Sequence, residues 1–414
     1  MEISTDQAPF IYEFMYFCST KIIYMEAFTI STTDLILLSV TGGLFIIQLI
    51  YYPGLYDRIR RHNKRTRLGL GNYNDTLEPI SVVICARNES ENLRRFLPAI
   101  LEQDYPQFEV IVINDGSTDE SEEVLTLFEE KYPHLYHSFT PDSARYISRK
   151  KLALTLGIKA SKYDWLVFTE ANCRPVSNQW LRLMAREFTP RTQVVLGYSG
   201  YEAGKGWLNK RTSFDTLFTS MRYLGFALAG SPYMGLGRNM AYRKELFFDN
   251  KGYSAHLNLQ RGEDDLFINQ VANGENTRVL THAQAVTRMQ PLERYKDFKE
   301  DKVSYKATSP YYKGAQRYVL GFETCSRLLF YLFVVLTIAW GIYTHHWLAA
   351  GISLLIWIFR LVVQGVIINK TAAELGERRR YFFSLPVFDL LQPLQSLKFS
   401  LYRKVRGRGD FTRK

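Results

Sequence analysis

Apolar positions along the chain follow two rules. Leu35–Tyr52 and Leu328–Tyr343 carry no charged residue, and Trp347–Ile368 carries one, Arg360. Apolar runs of about 18 residues have the length of a helix that crosses a bilayer. Spans are therefore predicted at 34–53, 323–343 and 347–368, the last two as a hairpin turning at Thr344-His345-His346. Between the first and second spans, short apolar blocks alternate with stretches of helical period. Ile80–Cys85, Phe108–Asn114 and Trp165–Thr169 read as strands, while Glu89–Gln103, Asp119–Lys131 and Lys150–Ser161 read as helices. This alternation predicts an α/β fold with a Rossmann-like, mainly parallel sheet and right-handed crossovers.

Lysine and arginine placement sets the expected orientation. Arg58, Arg60, Arg61, Lys64, Arg65 and Arg67 follow the first span, and Lys370 and Arg378–Arg380 follow the third. Both clusters should be cytoplasmic, with His345 and His346 outside, as in a multi-pass protein of the cell (inner) membrane. An intramembrane charge such as Arg360 should be paired or functional. Residues 291–322 suggest amphipathic interfacial helices. Residues 381–414 are apolar but broken by Pro386, Asp389, Gln392, Pro393 and Gln395, which predicts an interfacial or re-entrant segment with a basic tail. Residues 1–33, with acidic Glu2 and Asp6 and no small-residue cleavage site, read as an N-terminal extension rather than a signal peptide.

Composition sharpens this picture in three places. The mean hydropathy of −0.17 averages a polar middle with apolar anchors and describes neither. A net charge of +11 invites a nucleic-acid reading, but no such module is present, and the cations flank membrane spans. The four cysteines, Cys18, Cys85, Cys173 and Cys325, have no paired spacing, which argues against a disulfide framework or zinc ribbon.

Ligands of parallel sheets gather at the carboxyl ends of strands. There the chain places Arg87-Asn88-Glu89, then Asn114-Asp115-Gly116-Ser117, then Glu170-Ala171-Asn172. Taken singly, each is an ordinary turn or helix start. Taken together, three carboxylates with polar neighbours suit a nucleotide and a divalent cation.

At these residues the chain resembles a known family. The run ISVVICARNESENLRRFLPAILEQDYPQFEVIVINDGSTDESEEV, then LVFTEANC, then GRNMAYRKELF and RGEDDLFINQV, is similar in content and order to the family 2 glycosyltransferases. The resemblance implies a GT-A nucleotide-sugar-binding domain over 78–290, carried by membrane anchors. It implies that Glu89 and Asp115 contact the base and ribose of the nucleotide. Lys150 or Lys151 would neutralise phosphate, and Arg238 and Asn239 would touch substrate. Within Gly262-Glu263-Asp264-Asp265, Asp264 falls on the family's catalytic aspartate, with Asp265 the second choice. An inverting transfer needs such a carboxylate to take the acceptor proton, and three adjacent acids favour one raised pKa.

Two departures qualify the resemblance. The family's Asp-x-Asp is Glu170-Ala171-Asn172, so Mg²⁺ or Mn²⁺ on Glu170 and Asn172 should bind weakly. The Gln-x-x-Arg-Trp of polymer-extruding members is replaced by Asp301-Lys302-Val303-Ser304-Tyr305, which argues against a processive synthase. The expected function is a membrane-anchored hexosyl- or N-acetylhexosaminyl-transferase. It would use a nucleotide-sugar, UDP-linked, and a lipid-linked or cell-envelope glycan acceptor at the cytoplasmic face, with envelope-assembly partners and no nucleic acid. The competing reading is a non-catalytic nucleotide-sugar-binding subunit or scaffold of an envelope glycan complex.

Overall fold

The computed structural model describes residues 29–141 and 148–405, so most of the extension expected over 1–33 and the end of the basic tail lie outside the described residues. Along the chain run α1 (Thr32–Tyr51), α2 (Arg58–Arg67), β1 (Ile80–Ala86), α3 (Ser90–Leu101), β2 (Phe108–Asn114), α4 (Ser121–Lys131) and β3 (Leu135–Phe139). Then come α5 (Arg149–Ala160), β4 (Trp165–Phe168), β5 (Cys173–Pro175), α6 (Trp180–Ala185), β6 (Val194–Gly197), β7 (Ser199–Tyr201) and α7 (Gly206–Leu228). After these follow β8 (Met240–Arg243), α8 (Lys244–Asp249), α9 (Asp265–Val271), β9 (Thr277–Leu280) and β10 (Thr287–Met289). The last helices are α10 (Tyr295–Thr308), α11 (Gln316–Tyr343), α12 (Trp347–Glu374) and α13 (Leu385–Val405). The chain divides into two compact units, one running to Tyr52 and including Gly321–Gly365, the other formed by Pro53–Leu320 and the residues from Val366 onward.

The second unit is the α/β domain. Among the described residues, seven strands form its main sheet in the order β3-β2-β1-β4-β8-β6-β9. β1 and β2 are apolar almost throughout because both of their faces are covered. α3 supplies part of that cover with Leu93, Phe96, Leu97, Ile100 and Leu101 at helical spacing. Ile80 stands opposite Phe108 on one side and Trp165 on the other, so β1, β2 and β4 start in register and run in parallel toward the same edge. The sheet is mainly parallel as expected, with one exception: β8, inserted between β4 and β6, runs antiparallel to both. From β1 the order runs outward to β2 and β3, then returns to the other side with β4. The switch point thus lies between β1 and β4, where such sheets hold their ligands. β5, β10 and β7 make a small second sheet beside it.

The first unit is inverted in polarity. Thr41, Gln48, Ser326, Thr337 and Arg360 are buried, while Leu35, Ile46, Leu332, Leu355 and Phe359 face outward. The Gln48 amide donates to Ser326 Oγ at 2.8 Å and accepts from Arg360 at 3.2 Å. Arg360 is therefore held by polar partners, the pairing expected of a charge within so apolar a helix. α1, α11 and α12 are the three helices, among the described residues, long and apolar enough to cross a membrane. α11 begins seven residues before the expected span and α12 continues six beyond it, because helical backbone outlasts the apolar run that signalled it.

Candidate functional site

The loop after β1 is shaped by Asn88, which adopts a left-handed backbone with φ 53°. Its amide N–H donates to Ser117 Oγ at 2.9 Å, and its Oδ1 accepts from the Thr118 amide at 2.8 Å. The ends of β1 and β2 are thereby stitched together. Beside them Asp115 is buried and its Oδ1 accepts from Arg149 Nε at 3.0 Å and from Thr140 Oγ1 at 2.9 Å. Gly116, with φ +66°, holds a backbone conformation that a side chain would strain. Glu89 opens α3 and accepts from the Asn92 amide; burial pushes its carboxyl above the usual range.

These groups line a cavity of about 520 Å³ between the strand ends and the loop Leu257–Arg261. Glu89 and Asp115 stand at one part of its wall, and four cations, Arg87, Arg149, Lys150 and Arg261, also line it. That polarity suits a ligand with a polar nucleoside end and an anionic remainder.

At the inner edge of the cavity, charges alternate in sign. Lys150 Nζ lies 2.9 Å from Glu263 and 2.9 Å from Glu170 Oε1; Glu170 Oε2 lies 2.9 Å from Arg238 Nε, and Arg238 reaches Asp301 at 3.4 Å. Burial disfavours each charge, but the neighbours outweigh it. Lys150 and then Arg238 hold the Glu170 carboxyl well below the carboxylate range, and Glu170 with Glu263 holds Lys150 charged.

Next to this row sit the three adjacent acids, all buried. Asp264 caps α9: its Oδ1 accepts from the Asp265 amide at 2.7 Å and its Oδ2 from the Gly237 amide at 3.1 Å. Burial, then the Glu263 charge, raises its pKa. Burial and Asp264 push Asp265 up to about 7, although its Oδ2 accepts hydroxyls from Thr308 and, at 2.6 Å, Tyr312. Glu263, held by Lys150 and Arg261, shifts down. Two of three neighbouring acids thus resist ionisation, where sequence adjacency led us to expect one.

Most of the residues singled out from sequence converge here. Glu89, Asp115, Lys150, Glu170 and Asn172 line the cavity. A smaller cleft of about 10 Å³ adjoins it through Lys150, Glu170 and Arg261, and holds Arg238, Asp264 and Asp265. Two do not converge. Lys151 is fully buried and its ammonium donates to the carbonyls of His256, at 2.6 Å, and Leu259, at 2.8 Å, so it braces a loop of the cavity wall rather than meeting a phosphate. Asn239 is likewise buried: its Nδ2 donates to the carbonyls of Tyr198 and Ala285, and its Oδ1 accepts from Trp180 Nε1. Arg87, Arg149 and Arg261 escaped sequence reasoning as site residues. Arg149 precedes Lys150 in a run of three cations and was open to detection; Arg261 sits two residues before Glu263.

Glu170 and Asn172 were expected to take Mg²⁺ or Mn²⁺. Both Glu170 oxygens are already held by cations, and Asn172 Oδ1 accepts from the Cys173 thiol at 3.3 Å. Among the described residues, no group of three His, Cys, Asp or Glu side chains is placed to hold a metal ion. This donor set does not fit a divalent cation without displacement of Lys150 or Arg238.

The fold is of the GT-A type, and comparison with known proteins agrees. The chain resembles a mannosyltransferase of Pyrobaculum calidifontis, solved with GDP-mannose and Mn²⁺, with a TM-score of 0.52 and 15% identity over 83% of this chain and 98% of the other. That likeness is one of fold. Residues 81–249 match the model of glycosyl transferase family 2, and that segment is a family 2 glycosyltransferase domain. A poly-β-1,6-N-acetyl-D-glucosamine synthase of Staphylococcus epidermidis is 32% identical over 96 residues, 23% of this chain and 22% of its own. The glycosyltransferase AglE of Haloferax volcanii is 33% identical over 109 residues, 26% of this chain and 34% of its own. The matched segments thus span about a fifth to a third of these relatives.

Proposed function

We propose that the chain is a membrane-anchored, inverting glycosyltransferase that moves a hexosyl or N-acetylhexosaminyl group from a UDP-sugar to a lipid-linked or envelope glycan acceptor at the cytoplasmic face. The observation that carries this reading is the meeting of the cation-lined cavity with the buried Asp264. In this mechanism Glu89 and Asp115 accept hydrogen bonds from base and ribose, while Arg87, Arg149, Lys150 and Arg261 face the diphosphate. The acceptor hydroxyl loses its proton to Asp264 as its oxygen bonds the anomeric carbon. The bond from that carbon to the diphosphate breaks on the opposite face, and the nucleoside diphosphate leaves with its charge met by the chain's own cations.

The cavity's cations, Arg87, Arg149, Lys150 and Arg261, support a transfer in which the chain itself supplies positive charge to the diphosphate, and no step is assigned to a metal. Relatives of this domain include polysaccharide synthases, which supports an envelope glycan product. The basic residues after α1 and α12 support a cytoplasmic catalytic domain. Asp264→Asn tests the reading. Transfer should fall by about 10²–10⁴-fold, the usual worth of a general base, with UDP affinity retained. Full activity in that variant would exclude Asp264 as the base. Native protein that binds UDP yet neither transfers nor hydrolyses any UDP-sugar would favour the scaffold reading.

A further inference from the structure

A second cavity, of about 340 Å³, shares no wall residue with the nucleotide pocket or with the cleft of the catalytic acids. Five segments build it: α2, the loop at Tyr73, the end of α6, the turn after β9 and the last turn of α12.

Its charged groups are unequally matched. Two carboxylates line it, and both are already held. Arg67 donates to both oxygens of Glu374 at 2.8 Å, and Glu187 lies 2.7 Å from Nε of Arg278. The other arginine of the wall, Arg186, lies over the Tyr73 ring, 4.6 Å from its centroid. Its guanidinium makes no ion pair and meets no hydrogen-bond acceptor among the described residues. Glu187 feels the Arg186 charge, but Arg278 holds that carboxylate in contact.

Two histidines add to the same side of the balance. His282 Nδ1 accepts from the Gln284 amide at 3.2 Å, so the neutral ring carries its proton on Nε2 and donates from there. Burial, then the charge of Arg186, lowers the pKa of His282. Burial, then Arg278 and Arg65, lowers that of His62. Both rings thus stand in a positive field. Leu183, Leu280, Ala283 and Ala373 give the wall an apolar part.

The helix α12 sets the depth of this cavity relative to an apolar layer. It is apolar enough to cross a membrane, and its apolar run ends at Ile368. Ala373 and Glu374, in the cavity wall, lie five and six residues further along the same helix, about 7–9 Å at a rise of about 1.5 Å per residue. The headgroup layer on each side of a bilayer is about 5–8 Å deep. The wall therefore stands at the outer margin of that layer, where α2 also brings Arg58, Arg60, Arg61, Lys64 and Arg65.

We propose that this cavity binds the phosphate headgroup of an anionic membrane phospholipid as an unreacted ligand, held by the Arg186 guanidinium and His282 Nε2. The same donors suit a soluble phosphomonoester, but the depth of the wall favours the lipid source. The inference rests on the membrane anchoring of the proposed function and not on its chemistry. The lipid is neither donor nor acceptor of the transfer; it ties the end of α12 to the rim of the sheet at β9.

The test uses the full chain purified in detergent, with dihexanoyl-phosphatidylglycerol as the probe and calorimetry as the readout. Dihexanoyl-phosphatidylcholine and glycerol 3-phosphate are the comparison ligands. Arg186→Gln removes the cation left without a carboxylate, and Ala373→Trp fills the cavity without changing charge. Arg378→Gln removes an exposed cation that is not part of the wall. Phosphatidylglycerol should bind native protein, the first two variants should each weaken it at least about tenfold, and Arg378→Gln should change it less than about twofold. An unchanged melting temperature shows an intact fold, and because the first two variants act through different atoms, either one decides the site. Equal affinity in native protein and in those variants, or an equal loss in Arg378→Gln, would overturn the site. Phosphatidylcholine binding as tightly would overturn its preference for an anion, and glycerol 3-phosphate binding as tightly would overturn the membrane source. Native protein that stays monodisperse without detergent would overturn the anchoring itself.

Discussion

The phenol of Tyr305 donates to Oδ2 of Asp264 at 3.3 Å. α10 thereby joins the acceptor side of the domain to the proposed base. Tyr305 stays neutral, because burial and the nearby Asp264 charge push its own ionisation well above the ordinary range. A donor to the charged form of a carboxylate lowers that carboxylate's pKa. Tyr305→Phe should therefore move the acidic limb of the kcat/KM profile to higher pH, so activity falls more at pH 6 than at pH 8. The pH profile of transfer checks this. An unmoved limb would mean that the phenol does not reach the base in the working enzyme.

Asp265 makes a different prediction, about stability. Burial and the adjacent Asp264 raise its folded pKa to about 7, above the value expected of an unfolded aspartate. A folded state that binds the proton more tightly is favoured at low pH. This contribution is full below the unfolded pKa and is lost as pH rises through the folded one, here between about 4 and about 7. Asp265→Asn removes that titration, while the Thr308 and Tyr312 hydroxyls can turn to suit an amide. The variant should melt higher than native at pH 8 and gain little at pH 4.5. Melting curves at the two values decide it, and an equal difference at both would sink the assignment.

The strands that frame the site were legible because each is short, apolar and followed by a loop that carries a carboxylate, and β1, β2 and β4 fall within one residue of the apolar blocks. The reversal of β8 was not legible. Its direction is set by pairing with β4 and β6, whose partners of Met240, Phe168 and Leu196, lie far upstream, and that pairing leaves no local signal. Helical phase separated the lysines. Lys151 shares the buried face of α5 with Leu154 and Ile158, at spacings of three and four, while Lys150 is turned toward the cavity. Local sequence reveals that face only once the helix is placed against the sheet. The row Glu263, Lys150, Glu170, Arg238, Asp301 draws on five separate segments, so its alternation of charge belongs to the fold alone.

That row bears on the metal. Arg238 and Lys150 each hold one oxygen of Glu170, where a divalent ion would need a free one. Transfer by the native chain should therefore survive EDTA with a loss smaller than tenfold. Arg238→Gln releases one oxygen and removes one cation, so activity without metal should drop and added Mn²⁺ should restore part of it. Direct Mn²⁺ binding with UDP present, followed by electron paramagnetic resonance, should strengthen in the same variant. Abolition of native transfer by EDTA, reversed by Mn²⁺, would show that metal displaces these cations in the working enzyme.

Asn239 gives a prediction that separates structure from substrate. Its amide satisfies three groups from distant segments: the Trp180 indole at 3.0 Å and the carbonyls of Tyr198 and Ala285 at 2.7 and 2.9 Å. Gly197 packs so closely on this side chain that a Cβ there would approach its amide to 2.6 Å. Asn239→Ala strands buried polar groups at a cost of about 1–3 kcal/mol each. The expected result is a melting temperature lower by several degrees, with UDP affinity unchanged when measured in the cold on folded protein. Calorimetry and thermal melting on one preparation separate the two effects. A loss of UDP affinity without a loss of stability would return Asn239 to the substrate and contradict its place as a bracket between β8, α6 and β7.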